Sequence, residues 1–212
     1  MLDHMIHASA TALTSVLGAM LMITSCAPTS TPASLFNTRS LTGWSKAGGD
    51  ATYRVDEATI VGTHGPGPNT FLCTNDVYED FDLEFEFRWD APINSGLQFR
   101  SHINDDGRVQ GYQFEHDPSE RSWTGGIYEE GGRGWLAPLG ENDAARAAVQ
   151  LDGWNRGRIE ARGHHIRTWL NGVPCADLND PDGPTSGFIA LQVHGGQLGS
   201  IRWRNLVLTP VH

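Results

Sequence analysis

One stretch of the chain, from Phe81 to Trp89, alternates strictly between apolar and charged residues. The apolar members are Phe81, Leu83, Phe85, Phe87 and Trp89, and the charged members are Asp82, Glu84, Glu86 and Arg88. Successive side chains of a β-strand point to opposite faces, so a period of two predicts a strand with one buried and one solvated side. The carboxylates of this stretch are therefore interpreted as a solvated sheet face, with a catalytic cluster as the alternative.

The same alternation returns along the chain, with little sign of helix between the segments. Further extended segments are predicted over 53–55, 59–61, 71–74, 97–101, 112–116, 126–128, 154–161, 164–170, 187–194 and 201–208. The 212 residues include 25 Gly and 11 Pro, which favours many short strands joined by tight turns. Regularly spaced strands without intervening helices predict an all-β sandwich of two antiparallel sheets. The first and last strands are candidates for neighbours within it.

Two turns and one helix can be placed within this pattern. A hairpin is expected around Asp56-Glu57-Ala58, and Asn171-Gly172 is a typical two-residue hairpin turn. The alanine-rich segment 142–150 is expected to form one short helix.

The N-terminus has the pattern of an export signal. Residues 8–24 are small and apolar, and this segment is too short for a typical transmembrane helix. It ends in Ile23-Thr24-Ser25-Cys26, which resembles a bacterial lipobox, although no Lys or Arg precedes it. We therefore predict a lipoprotein signal peptide over 1–25, lipidation at Cys26, a Pro/Ser/Thr-rich tether over 26–34 and one domain over 35–212. The alternative is an ordinary secretory signal with a chance cysteine. The first interpretation predicts an exported lipoprotein of the cell envelope, anchored to a membrane by its N-terminal lipid.

Net charge argues against nucleic-acid binding, and the cysteine spacing argues against a zinc site. The formal net charge of −10 makes nucleic-acid binding through phosphate neutralisation an unfavourable interpretation, whereas a neutral ligand is compatible with it. Cys73 and Cys175 match no zinc pattern. They can be a disulfide in an oxidising compartment or two separate buried thiols.

The stretch from Gly111 to Leu136 concentrates residues that suit a sugar site. Its acids include Glu115, Asp117, Glu129 and Glu130, its basic residues are Arg121, Arg133 and His116, and its aromatic residues include Tyr112, Trp123, Tyr128 and Trp135. Aromatic rings stack on the C–H faces of sugars, and charged groups hydrogen-bond the hydroxyls. The alternative is a pair of edge strands with solvated charges. His116 falls on the predicted buried face, where a packed histidine is the more common outcome.

Several motifs, in order, match one family. They are Leu35-Phe36-Asn37, Leu41-Thr42-Gly43-Trp44, Asn94-Ser95-Gly96-Leu97-Gln98-Phe99-Arg100, Gly111-Tyr112-Gln113 with Glu115 and Asp117, Gly126-Ile127-Tyr128, Arg133-Gly134-Trp135-Leu136, Trp154-Asn155, Asn171-Gly172, Gly187 to His194, and Arg204-Asn205-Leu206. Over roughly Leu35 to Leu208 the sequence closely resembles the 3-keto-disaccharide hydrolase domain family, long called a domain of unknown function (DUF1080). His116 departs from the aliphatic residue expected there.

The resemblance implies a concanavalin-like jelly roll and a substrate class. That class is glycosides whose sugar has been oxidised at C3 by a separate sugar 3-dehydrogenase. A 3-keto group acidifies the C2 proton, so a base can remove it, the C1 substituent leaves by elimination, and water adds back. This route needs a base near C2, a donor to the C3 oxygen and an acid for the leaving oxygen.

Candidate residues are those that share faces with the matched motifs. We assign Glu115, Asp117, His194 and Arg100 as candidate catalytic residues and Gln98, Tyr128, Arg133, Trp135 and Gln192 as candidate substrate-binding residues. Glu115 or His194 would be the base, with Asp117 orienting it, and Arg100 would bind the C3 oxygen. Arg133 and Trp135 would close the rim, while Tyr128 would stack or donate a proton. The alternative for Arg100 and Glu115 is a cross-strand ion pair.

The sequence leaves open whether the site binds a metal and whether the domain is an enzyme or a carbohydrate-binding module. No cofactor is required by the pattern, but a divalent metal can be accommodated, because Glu115, Asp117 and His194 are suitable ligand types. The main alternative to a 3-keto-glycoside hydrolase is a non-catalytic carbohydrate-binding lipoprotein module, since a fold alone does not fix a function. A two-carboxylate glycosidase acting on unoxidised glycans is a third interpretation.

Overall fold

The computed structural model describes Met1 and residues 31–211, and nearly all of the folded part is β-strand. The strands are β1 Ala33–Ser34, β2 Trp44–Gly48, β3 Thr52–Asp56, β4 Thr59–Thr63, β5 Thr70–Thr74, β6 Phe81–Ala91, β7 Ser95–Ile103, β8 Val109–His116, β9 Ile127–Glu130, β10 Gly134–Ala137, β11 Asn155–Arg162, β12 His165–Leu170, β13 Val173–Asn179, β14 Phe188–Val193 and β15 Ser200–Pro210. One helix, α1, spans Asp143–Ala147.

The strands form two antiparallel sheets that pack as a jelly-roll sandwich. The eight-stranded sheet has the order β13-β12-β11-β6-β15-β4-β3, with β1 paired to β15, and the seven-stranded sheet has the order β10-β9-β8-β7-β14-β5-β2. Successive side chains along each strand point to opposite faces of its sheet, so each sheet has one face turned toward the other sheet and one turned outward. The prediction of an all-β sandwich of two antiparallel sheets is confirmed.

The core lies between the inward faces, and aromatic residues dominate it. Phe85 on β6 meets Phe114 on β8 across the sandwich, with ring centroids 5.2 Å apart. The apolar face of Phe81–Trp89 is buried as predicted, while its charged partners are only partly covered. These partners form ion pairs such as Arg204–Glu86 across neighbouring strands, so the solvated-face interpretation of this stretch is confirmed.

His116 belongs to this core. Its ring stacks on Phe87 with centroids 3.8 Å apart, and Trp203 Nε1 donates to His116 Nε2 at 3.4 Å. Burial lowers the pKa of His116 to about 3, so the ring is neutral at physiological pH. The prediction of a packed histidine is confirmed, and this residue is not available to a substrate.

The two predicted hairpin turns and the predicted short helix are present in the structure. Residues at positive φ, Glu57 and Ala58, turn β3 into β4, and Asn171 and Gly172 turn β12 into β13. Helix α1 is capped by Asn142, whose side chain accepts from Ala145 N at 3.1 Å.

The two ends of the domain meet in the eight-stranded sheet. β1 pairs with β15, Ala33 opposite Leu208, so the expected neighbourhood of the first and last strands is confirmed. The first strand starts inside the segment that was expected to be a tether.

Two cysteines lie in the folded domain, and the third lies in the N-terminal segment. Cys73 on β5 and Cys175 on β13 are free thiols on different sheets, so the separate-thiol alternative applies. The predicted signal peptide beyond Met1 and the lipidation residue Cys26 lie outside the described residues. Within residues 31–211, no helix has the length and apolar character needed to span a membrane.

Candidate functional site

A polar cavity of about 400 Å³ lies on the outward face of the seven-stranded sheet. Its lining residues are Asn69, Asn94, Gln113, Glu115, Arg121, Tyr128, Glu130, Trp135, Gln192, His194 and Gln197. Alternate residues of β8, β9 and β14 point to this face because their neighbours in sequence are committed to the core. The cavity therefore combines carboxylates, carboxamides, one guanidinium and aromatic rings.

Glu115 is the most deeply buried acid of the cavity, with 4 % of its surface exposed. Asn94 Nδ2 donates to Oε1 at 2.6 Å and Gln113 Nε2 donates to Oε2 at 2.7 Å. Burial raises the pKa of Glu115 to about 7, even though the hydrogen bonds from Asn94 and Gln113 act in the opposite direction. A carboxylate with this pKa can accept and release a proton near neutral pH.

A row of buried polar side chains fixes Glu115 from below. Ser101 Oγ donates to Gln98 Oε1 at 2.9 Å, and Gln98 Nε2 donates to Gln113 Oε1 at 2.6 Å. Gln113 in turn donates to Glu115. Gln98 is fully buried and lies behind the cavity wall, so it orients Gln113 and does not contact a ligand directly. Its predicted role in substrate binding is thereby corrected to a positioning role.

Glu130 is a second acid held in the same manner. Asn69 Nδ2 donates to its Oε1 at 3.0 Å, and Gln192 Nε2 donates to its Oε2 at 3.0 Å. Burial raises the pKa of Glu130. Gln192 Oε1 is buried and has no hydrogen-bond partner among the described residues. Each of the two acids is thus held by a pair of carboxamides, with Glu130 less deeply buried than Glu115.

Arg121 is the cation of the cavity, and Asp117 holds it there. Arg121 Nε donates to Asp117 Oδ2 at 2.7 Å, and Arg121 Nη2 lies 3.9 Å from Glu115 Oε1. Burial alone would raise the pKa of Asp117, but hydrogen bonds from Ser119, Arg121 and the Trp123 backbone lower it. β8 ends at His116, and Asp117 begins the turn that carries Arg121. Asp117 therefore orients Arg121, whereas the sequence predicted that it orients the base, Glu115 or His194.

Aromatic rings form one wall of the cavity. Trp135 packs edge-on against Tyr128 at 5.3 Å and against Trp123 at 4.7 Å between ring centroids. The Arg121 guanidinium carbon lies 5.0 Å from the Trp135 ring centroid. Burial, together with the charges of Glu130 and Glu115, raises the pKa of Tyr128. Trp135 and Tyr128 thus line the cavity, as predicted.

His194 lies beside Gln192 at the end of β14. Its Nδ1 is 2.6 Å from the Gly195 carbonyl oxygen. Because a carbonyl oxygen only accepts, Nδ1 carries a proton, which leaves Nε2 as the acceptor of the neutral ring. The structure therefore brings together Glu115, Tyr128, Trp135, Gln192 and His194 of the predicted set.

Arg100 does not join this group, and its predicted placement is wrong. A bulge interrupts β7 between Phe99 and His102, and Arg100 has a positive φ of 49°. Its fully buried side chain donates to Glu79 O at 3.0 Å and to Asp80 Oδ1 at 2.8 Å. Burial lowers the pKa of Arg100. The alternative of an ion pair with Glu115 is also wrong, since its partner is Asp80.

Arg133 is likewise placed outside the cavity. Its guanidinium binds Glu129 Oε2 at 2.7 Å and Asp180 Oδ2 at 2.6 Å, and Asp180 also accepts from Tyr112 at 2.7 Å. The hydrogen bonds that Arg133 donates to Asp180 and Glu129 raise the pKa of Arg133. This network ties the β9–β10 turn to the loop after β13, so the predicted rim role of Arg133 is corrected to a structural one.

The lining residues absent from the predicted site are Asn69, Asn94, Gln113, Arg121, Glu130 and Gln197. A face argument would have found two of them, because Gln113 shares a face of β8 with Glu115, two residues away, and Glu130 shares a face of β9 with Tyr128. Asn69 and Gln197 come from loops, where no periodic signal exists.

The described residues hold no group of three or more His, Cys, Asp or Glu side chains that could bind a metal ion. Asp117 is engaged by its own turn and by Arg121, so it does not complete a ligand set with Glu115 and His194. The divalent metal considered from the sequence thus finds no ligand set in this part of the chain.

Residues 31–209 match the model of the 3-keto-alpha-glucoside-1,2-lyase-like domain. A candidate glycosyl hydrolase of Parabacteroides distasonis has a similar fold, with a TM-score of 0.63 at 17% identity, covering 85% of this chain and 94% of the other. The carbohydrate-binding module CBM66 of Bacillus subtilis gives 0.55 at 16% identity, covering 78% and 94%. A Bacillus subtilis protein with a galectin-like fold gives 0.63 at 13% identity, covering 84% and 94%. No curated protein matches the chain.

Proposed function

Because the chain belongs to the 3-keto-alpha-glucoside-1,2-lyase-like domain family, we propose that it cleaves the glycosidic bond of 3-keto-glycosides by elimination and hydration. One observation carries the proposal. Glu115, buried at the floor of the polar cavity, has a pKa raised to about 7 and lies 3.9 Å from the Arg121 guanidinium. A base near neutrality beside a fixed cation suits the removal of a proton next to a carbonyl group.

In the first step, Glu115 takes the C2 proton of the bound sugar. The electron pair of the C2–H bond moves toward the carbonyl, and negative charge develops on the C3 oxygen. Two carboxamides hold the carboxylate in place, so it needs little reorganisation when the sugar arrives. His194, whose Nε2 is an acceptor, is the second candidate for the base, as the sequence also suggested.

Arg121 is the proposed donor to the C3 oxygen, in the role first given to Arg100. Asp117 fixes the guanidinium through Nε, so its remaining N–H groups can point into the cavity. A preorganised cation at a developing oxyanion stabilises the transition state more than the ground state. Trp135 and Tyr128 would supply the apolar wall on which the sugar ring rests.

Carbohydrate binding without catalysis is the second candidate function. Its support is the similarity of the fold to a carbohydrate-binding module and a cavity rich in carboxamides, which suits sugar hydroxyls. A pure binder has no need for a carboxyl group whose pKa is displaced toward neutrality, which is why the enzyme is preferred.

Turnover decides between the two. The chain is assayed with 3-keto-trehalose and methyl 3-keto-glucoside beside their unoxidised parents, with and without chelator. We expect cleavage of the keto sugars only, and a Glu115→Gln variant that still binds them but does not turn them over. Binding without cleavage by the natural chain would favour the binding module, and cleavage of the unoxidised parents would favour a two-carboxylate glycosidase. Loss of activity with chelator would assign a metal.

The proposal extends to the supply of substrate and to location. Because the substrate carries a ketone at C3, a sugar 3-dehydrogenase must act before this protein. Export and anchoring through lipidated Cys26 is proposed from the sequence alone. Partition of the natural chain into detergent, lost in a Cys26→Ser variant, is the expected result; equal partition of both would contradict it.

A further inference from the structure

A second groove lies beside the polar cavity and shares two lining residues with it. Its volume is about 750 Å³, and its lining residues are Gly48, Gly67, Pro68, Asn69, Phe71, Gly107, Arg108, Val109, Glu130, Gly131, Gly195 and Gly196. Asn69 and Glu130 line both spaces. Both spaces therefore meet at Asn69 and Glu130.

The groove differs in chemistry from the cavity. Its floor is formed by Phe71 and Val109, each 3 % exposed, which belong to a small apolar cluster on the outward face. Glycines supply much of the rest of the lining, so backbone and open space replace polar side chains. Arg108 is the one charged side chain in the lining besides Glu130, and it is exposed. Such a groove suits a flat apolar group better than a second polyhydroxylated one.

Glu130 stands where the two spaces meet. Its oxygens accept from Asn69 and Gln192 at 3.0 Å each, so the carboxyl group is held at the junction. Burial raises its pKa, which favours the protonated form that an acid needs. Tyr128 lines the cavity together with both acids, and burial and the charges of Glu130 and Glu115 raise its pKa.

From this placement we propose that Glu130 protonates the leaving-group oxygen and that the leaving group, an apolar ring, occupies the groove floored by Phe71 and Val109. The assignment rests on the proposed function. In this step the enolate collapses: the C3 carbonyl re-forms, the electron pair of the C2=C3 bond becomes the C1=C2 bond, and the C1–O bond breaks. The leaving oxygen takes the proton of Glu130. Water then adds its hydroxyl to C1 and a proton returns to C2, which restores the 3-keto sugar.

The role of Glu130 as the acid is tested by comparing two substrates whose leaving groups differ in their need for a proton. Wild type and Glu130→Gln are assayed with methyl 3-keto-glucoside and with 4-nitrophenyl 3-keto-glucoside, whose phenolate departs without protonation. We expect kcat/KM for the methyl compound to fall by roughly 100-fold or more in the variant and that for the nitrophenyl compound to fall far less. Glu141→Gln, the same change on an exposed loop, is the matched control and should leave both rates near wild type.

The groove is tested by a change that keeps its shape. Val109→Thr places a hydroxyl on the apolar floor, and should raise KM for the nitrophenyl compound by roughly three- to tenfold while KM for the methyl compound stays constant. Thermal unfolding of the variant shows whether the fold is intact, and Phe71→Leu provides a second variant that stays apolar but loses the ring.

The outcomes separate this inference from the proposed function. If Glu130→Gln lowers both rates equally, or if the Val109 and Phe71 variants affect both substrates alike, Glu130 and the groove do not have these roles although the proposed function stands. If the wild type cleaves neither keto-glucoside, the proposed function fails, and this inference fails with it.

Discussion

Replacing Glu115 by glutamine should make the protein more stable above neutral pH while abolishing turnover. Burial raises the pKa of Glu115 from 4.5 to about 7. Between these values the unfolded chain has lost the proton while the folded protein keeps it, so this group makes stability fall as the pH rises. One pKa unit corresponds to about 1.4 kcal/mol, so the ionised carboxylate destabilises the folded protein by about 3 kcal/mol above pH 7.

Glutamine has the shape of the acid and does not titrate. Its NH₂ group would meet one of the two amide donors that now face Glu115. The row behind it can adjust, because the amides of Gln113 and Gln98 can turn over together. Gln113 Oε1 would then accept from the new NH₂ group, and Gln98 would donate to the Ser101 hydroxyl. The variant therefore avoids the penalty of an unpaired buried donor.

The assay is urea unfolding of wild type and Glu115→Gln between pH 4 and 8. The difference in the free energy of unfolding should be constant at the acid end and should grow in favour of the variant by about 3 kcal/mol by pH 8. Glu141→Gln gives the baseline for the loss of an exposed carboxyl group. A difference for Glu115→Gln that does not change with pH would show that burial does not disfavour the carboxylate, and the reasoning behind the base would be wrong.

Three further predictions test the roles of single residues. Arg121→Ala should lower kcat/KM for 3-keto-glucosides by roughly 100-fold, with partial recovery in Arg121→Lys; a change below about twofold in steady-state kinetics would remove Arg121 from the site. Arg100→Ala should lower the free energy of unfolding by at least about 3 kcal/mol in urea titrations, since its buried guanidinium joins separate loops; loss of turnover without loss of stability would contradict the structural role. His116→Leu should reduce the loss of stability below pH 6.5, because the unfolded chain binds a proton there that the folded protein, with a pKa of about 3, does not; unchanged acid sensitivity would argue against it.

The fold was predictable because most strands are marked by alternation of apolar and polar residues within their own sequence. The alternation of Phe81 to Trp89 gives both the strand and the direction of its faces, and the same holds for β8 and β14. Turns with positive φ, such as Asn171-Gly172, are also local signals. The pairing of β1 with β15 depends on residues far apart in sequence, so it could be anticipated only from the requirement that a sandwich closes.

The site was predictable where it follows the alternation and failed where backbone geometry breaks it. Glu115, Tyr128 and Gln192 reach one cavity because each lies on the outward side of a regular strand. Arg100 would have done so too, but the bulge in β7 and its positive φ turn the side chain away. Its place is taken by Arg121, which a turn organised by Asp117 brings to the cavity.

The central claim, that this protein removes the C2 proton of a 3-keto sugar with Glu115, is tested most directly by labelling that position. Methyl 3-keto-glucoside carrying deuterium at C2 is incubated with wild type and with Glu115→Gln, and the deuterium in the sugar is followed by NMR against an enzyme-free sample. We predict that wild type releases the deuterium to water in step with cleavage and that the variant does neither. Cleavage with the C2 deuterium retained, or undiminished release by Glu115→Gln, would contradict the account.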